Sequence, residues 1–132
     1  MSGCDSGRPV ILEIGAGYGG ACFFFHRGTA DKKTRYIIVD LEPVLIIALY
    51  FLQMSSSWLT RKPIILLIGG SDAITALDLE RFNADIILIP RHLFHTIDFG
   101  VDILYNSNSF SEMEKAELEM YWDKINRMQP KF

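Results

Sequence analysis

The sequence predicts an α/β domain built on a parallel sheet. Short, nearly continuous apolar runs recur along the chain, and helical patterns separate them. A glycine cluster follows the first run, where a strand would turn into a helix. Continuous apolar runs suit strands buried on both faces, and helical connections suit parallel pairing with helices on either side.

Val10 to Ile14 reads as a buried strand that ends at the glycine cluster Gly15 to Gly20. Ala21 to Arg27 is apolar enough to open a packed helix, and Phe23, Phe24 and Phe25 read as core, with Tyr50 and Phe51 from the next helix. Tyr36 to Val39 is a second β-rich run, closed by Asp40. Pro43 suits a first helical position, and Val44 to Met54 continues as a helix expected to be buried on most sides. Ser55 to Ser57 breaks it. Ile64 to Ile68 and Ile86 to Ile89 are two further strands, with a short helix expected within Asp72 to Phe82. Val101 to Tyr105 is one more strand. Ser111 and Glu114 have capping-box spacing ahead of a helix over Met113 to Met128, with Leu118, Tyr121, Ile125 and Met128 on one face. Residues 1–9 are polar and Gly/Ser-containing and read as a disordered N-terminal segment, not a signal peptide, ahead of one domain over 10–132.

Composition narrows the function classes. A net charge of −3 leaves no electrostatic footprint for nucleic acid or an anionic membrane. The longest apolar run, Val44 to Leu52, is too short to span a bilayer. Cys4 and Cys22 form no CxxC pair, so no disulfide framework or zinc site is expected and a reducing, cytoplasmic setting fits. His92, His95 and Asp98 match no strong metal motif, and His26 reads as structural.

The most informative segment is Glu13-Ile14-Gly15-Ala16-Gly17-Tyr18-Gly19-Gly20. Its glycines let the backbone turn tightly and approach a ligand without Cβ obstruction, and the following helix begins with unpaired N–H groups. Asp40 ends the next strand about 20 residues on, where a carboxylate can accept both hydroxyls of a ribose. Gly15, Gly17 and Gly20 also satisfy the dinucleotide fingerprint. Glu13 weighs against that alternative. An acid just before the first glycine repels a pyrophosphate but suits a cationic ligand such as the amino group of a methionine moiety. A purely structural strand-to-helix turn is the remaining alternative.

These residues resemble the Rossmann-like, class I methyltransferases that use S-adenosyl-L-methionine. The glycine motif is common to that class. Asn106-Ser107-Asn108-Ser109-Phe110-Ser111-Glu112-Met113 is more specific and resembles the N-[ST]-x-S-x-x-E-M signature of bacterial sugar O-methyltransferases. Leu41, Glu42 and Pro43 after Asp40, and Ala84 to Pro90, are also similar to that family. The resemblance implies that Glu13, Gly15, Ala16, Gly17 and Gly19 line the methionine and ribose side of the cofactor. Asp40 would hold the ribose, with Leu41 beside it. Asn106 and Ser107 would lie near the transferable methyl. Adenine would rest at the end of the third core strand. The short gap from Pro90 to Val101 favours Ile86 to Ile89 for that strand and nominates Ile89 and Pro90; Ile64 to Ile68 would instead nominate Asp72. Glu112 is the candidate general base for an alcohol acceptor, against a plain role as a helix first-turn acid.

The chain departs from the family in offering four or five strands where seven are usual. It therefore reads as the N-terminal half of such a domain, either a fragment of an O-methyltransferase or a cofactor-binding module without turnover. The implied partner is a small-molecule acceptor, a sugar or glycoconjugate. With no fifth core strand, one side of Val101 to Tyr105 should be unpaired, the helix over Met113 to Met128 should lack part of its cover so that residues such as Tyr121, Trp122 or Met128 are exposed, and self-association through that edge is expected.

Overall fold

The structure, a computed structural model, describes residues 8–28, 34–59, 62–69, 74–106 and 113–131. Ser107, Ser111 and Glu112, the 107–112 part of the signature, Asp72 and residues 1–7 lie outside the described residues.

The chain folds as α/β with a five-stranded parallel sheet flanked by helices, Rossmann-like in general form. Strand β1 (Val10–Ile14) leads through the glycine loop into α1 (Gly20–Gly28). Strand β2 (Arg35–Asp40) leads into α2 (Glu42–Ser55), with Pro43 in its first turn as its fixed φ favours. Then come β3 (Ile65–Leu67), β4 (Ile74–Thr75) and α3 (Ala76–Phe82). A capping box opens α3: the Asp78 N–H donates to the Thr75 hydroxyl, and the Thr75 N–H donates to the Asp78 carboxylate. Strand β5 (Ile86–Pro90) runs into a 3-10 turn at Arg91–Thr96, then β6 (Ile97–Asp98), β7 (Ile103–Asn106) and α4 (Lys115–Met128).

The sheet order is β3-β5-β2-β1-β7, and β4 pairs with β6 as a separate parallel ribbon. This resolves the choice of third core strand: Ile86–Pro90 lies beside β2, and Ile65–Leu67 is displaced to the outer edge. The register sets Ile14 beside Val39 and Asn106, and Asp40 beside Pro90. The carboxyl ends of four adjacent strands are thereby brought level.

Alternation along the strands divides the core into two layers. Leu12, Ile14, Ile37, Val39, Ile87 and Ile89 face α3, α4 and the 91–101 segment. Ile11, Tyr36, Ile38, Ile86 and Leu88 face α1 and α2. Each fully buried isoleucine or leucine contributes about 1.5–3 kcal/mol, so the paired strands β2 and β5 anchor the fold. Residues Arg8 and Pro9 are already fixed: Arg8 pairs with Asp85 at 2.9 Å, and the Pro9 carbonyl accepts from Arg35 N–H.

Three expectations are corrected. Helix α2 is not buried on most sides. Leu45, Ala48 and Leu52 alone face fully inward, while Tyr50 on α2 and Phe24 on α1 are exposed, because the sheet covers only one face of this helical layer. Helix α4 starts at Lys115 with Glu114 as its N-cap residue, not at Met113. Finally, among the described residues β7 is an edge strand with Ile103 and Tyr105 exposed, as expected, but Tyr121 and Met128 are buried. Phe94, Phe99 and Val101 cover them, and the Phe94 and Tyr121 rings stack at 4.5 Å. Trp122 on the outer side of α4 is half exposed, as expected.

Candidate functional site

The glycine loop sits at the carboxyl end of β1. Gly15, Gly17 and Gly19 have φ of 78°, 60° and 92°, a region that costs an ordinary residue about 1–2 kcal/mol. This alternation folds the chain back on itself. Gly15 N–H donates to the Val39 carbonyl at 2.9 Å, and Gly19 N–H donates to the Ala16 carbonyl at 3.2 Å. The glycines have different surroundings. A Cβ on Gly19 would press on Leu52 of α2 at 3.3 Å, and one on Gly20 would meet the Tyr18 hydroxyl at 2.7 Å. A Cβ on Gly17 would meet nothing within 4 Å. Gly17 therefore owes its identity to backbone conformation and faces open space.

Asp40 ties the loop to the neighbouring strand. Its Oδ2 accepts Gly17 N–H at 3.1 Å and its Oδ1 accepts Leu41 N–H at 2.8 Å. A carboxylate has about four lone-pair sites, so each oxygen can still accept another donor.

Glu13 lies beneath the loop with 1% of its surface exposed. Tyr36 O–H donates to its Oε1 at 2.8 Å. Burial pushes the Glu13 carboxyl above its ordinary value; the Tyr36 bond opposes this, and the Asp40 charge adds to it. Burial and the Glu13 charge push the Tyr36 phenol far up in turn. The Glu13 side chain faces the α1/α2 layer with Tyr36, and the charged group it senses across the site is Asp40.

The other nominated residues divide between surface and core. Leu41 and Gly17 are exposed, Ala16 and Asn106 are partly buried, and Pro90 is buried at the end of β5. Ile89 is a fully buried core residue. Glu112 and Ser107 lie outside the described residues.

Beside Leu41 opens a cavity of about 890 Å³, within the range of small-molecule sites. Leu41, Glu42 and Pro43 form one wall, the turn after β5 a second, and α4 a third through Glu117, Met120, Tyr121 and Lys124. The glycines and Asp40 do not line it; Leu41 joins the two regions. Arg91 pairs with Glu117 and lies 5.9 Å from the Tyr121 ring centroid. Lys124 donates to the His95 carbonyl at 3.1 Å, and burial lowers its ammonium pKa. A smaller cavity of about 360 Å³ lies between α2, the end of β3 and Pro90. Sequence reasoning missed the Arg91 and α4 wall. A basic residue directly after a strand end was the available signal for Arg91; nothing in the spacing brings Lys124 back to it.

His26 Nδ1 lies 3.1 Å from the Cys22 carbonyl, a local helix contact. His92 approaches Glu42 at 3.9 Å with both side chains exposed. Among the described residues no three His, Cys, Asp or Glu side chains converge on a possible metal position, and no helix is long and apolar enough to cross a membrane. No family model, curated protein or solved structure matches the chain.

Proposed function

We propose that this chain binds S-adenosyl-L-methionine at the glycine loop and belongs to an O-methyltransferase acting on a small-molecule hydroxyl. The observation that carries the reading is the Gly17–Asp40 pair. It joins the ends of β1 and β2, leaves carboxylate lone pairs for a ribose, and sets them beside a glycine with open space where a side chain would stand. Ligands of open α/β sheets bind at this end of the strands.

Each residue then has a defined task. Asp40 accepts the ribose hydroxyls. Leu41 offers an apolar surface to adenine, which the adjoining cavity is large enough to take. Glu13 is buried against Tyr36, so its charge reaches a ligand through space and without contact; it suits an ammonium group and does not suit a pyrophosphate. Gly20 also favours this reading over a dinucleotide. The third fingerprint glycine serves close helix–strand packing, whereas here the Tyr18 ring occupies the space at Gly20. When bound, S-adenosylmethionine supplies an electrophilic methyl group. The protein's part is positioning, together with a base for the acceptor proton. The sequence resemblance assigns that base to Glu112 and the acceptor to a sugar.

Calorimetric titration with S-adenosylhomocysteine and with NAD tests the reading. Saturable one-site binding of the first and none of the second is expected. Binding of NAD alone would replace the reading with a dinucleotide one.

A further inference from the structure

Helix α2 carries an apolar stripe that its own fold leaves unused. Leu45, Ala48 and Leu52 point inward. On the opposite side Ile46, Ile47, Tyr50 and Met54 are 59–67% exposed, and Trp58, one turn beyond, is 83% exposed. At about 100° per residue Ile46, Ile47, Tyr50 and Met54 fall in one stripe of α2, and Trp58 follows it in the 3-10 turn Ser56–Trp58. From Pro43 to Trp58 no residue carries a charge. The five side chains expose roughly 700 Å², beyond the usual apolar patch of a monomer and close to the ~800 Å² that each partner buries in a stable interface.

We propose that α2 is a dimerisation helix and that its occupant is a second copy of this chain, packed with the two α2 helices antiparallel about a twofold axis. A charge-free stripe offers no complementarity for selecting a charged foreign surface. It also lacks the Lys and Arg that hold interfacial helices on anionic membranes. A twofold contact needs only self-complementarity. Tyr50 then meets its mate near the axis, the Ile46 and Ile47 end of one helix meets the Met54 and Trp58 end of the other, and the opposed helix dipoles attract. The β7 edge is the weaker candidate, with four residues whose outward Ile103 and Tyr105 are only 40% and 47% exposed. The inference does not rest on the cofactor reading.

Sedimentation equilibrium of the whole chain tests it. The expected mass at high concentration is twice the 15.0 kDa of the chain. Tyr50→Glu should weaken association roughly tenfold or more, as loss of a central aromatic anchor does, without changing the circular dichroism spectrum. If that variant misfolds, Met54→Arg serves in its place. Ile103→Lys, on the sheet edge, should leave the dimer intact. In Trp122→Phe, Trp58 is the sole tryptophan, and its emission should shift to the blue as concentration rises. A monomer at all concentrations, or a dimer that Ile103→Lys abolishes and the stripe variants do not, overturns the proposal. So does a Trp58 shift seen only on adding phosphatidylcholine vesicles.

Discussion

Replacing Asp40 perturbs the candidate site most selectively. In the free protein its carboxylate accepts two backbone N–H groups, Gly17 at 3.1 Å and Leu41 at 2.8 Å. Both are exposed, so water replaces the lost acceptor and Asp40→Ala should cost about 1 kcal/mol of stability, a fall in Tm of about 4 °C for a domain of this size. Binding should suffer more. Two ribose hydroxyls lose a charged acceptor, and the loop loses the strut that positions Gly17. Together these amount to about 1–3 kcal/mol, or roughly 5- to 150-fold in Kd for S-adenosylhomocysteine. Asp40→Asn keeps one acceptor oxygen and should fall between. Calorimetric titration beside thermal melts separates the two effects. A folded Asp40→Ala variant with unchanged affinity refutes the placement of ribose at Asp40.

Gly17→Val should abolish cofactor binding while lowering stability by about 1–2 kcal/mol, the cost of a positive φ without a steric clash; equal losses in binding and stability, seen by titration and melting, point to a structural turn. Because burial raises the Glu13 pKa in the free protein and an ammonium would lower it again, affinity for S-adenosylmethionine should rise as pH increases through that raised value and then level off. Titrations across pH should show this dependence flattened in Glu13→Gln. In stability the sign is opposite: the Glu13 contribution is present below its ordinary value and is lost as pH rises through the folded one. Asp102 behaves conversely, since Val10 N–H, aided by Lys131, holds its carboxyl below the usual value. Its contribution is present above the ordinary aspartate range and is lost as pH falls through the lowered value, so Asp102→Asn should melt earlier at neutral pH and with a shallower acid dependence.

The strands were legible because their residues are apolar on both sides, a pattern that local sequence records. The same holds for the loop, where Gly15, Gly17 and Gly19 all take the positive φ that their identity suggested. The position of β5 beside β2 also followed from chain geometry, through the short link to β7. The outward side of α2 was not legible. Its composition is that of a buried helix, and only the sheet's position reveals that Ile47 and Tyr50 face away from it. Glu13 was legible as an acid beside the loop but not as one turned inward to Tyr36, because side-chain direction depends on the strand alternation at that register. The cavity wall on α4 depends on a contact between Arg91 and Glu117 that no local pattern encodes.

If the loop after β1 and the acid after β2 form one cofactor site, a single ligand should perturb both. Amide NMR of the isotope-labelled chain, titrated with S-adenosylhomocysteine, reads both ends of that site at once. Saturable shifts are expected at Gly15, Gly17, Gly19 and Leu41, continuing to Arg91 along the adjoining cavity, with no such response to NAD. Unmoved glycine amides at saturating S-adenosylhomocysteine, or shifts at these positions with NAD alone, would contradict that assignment.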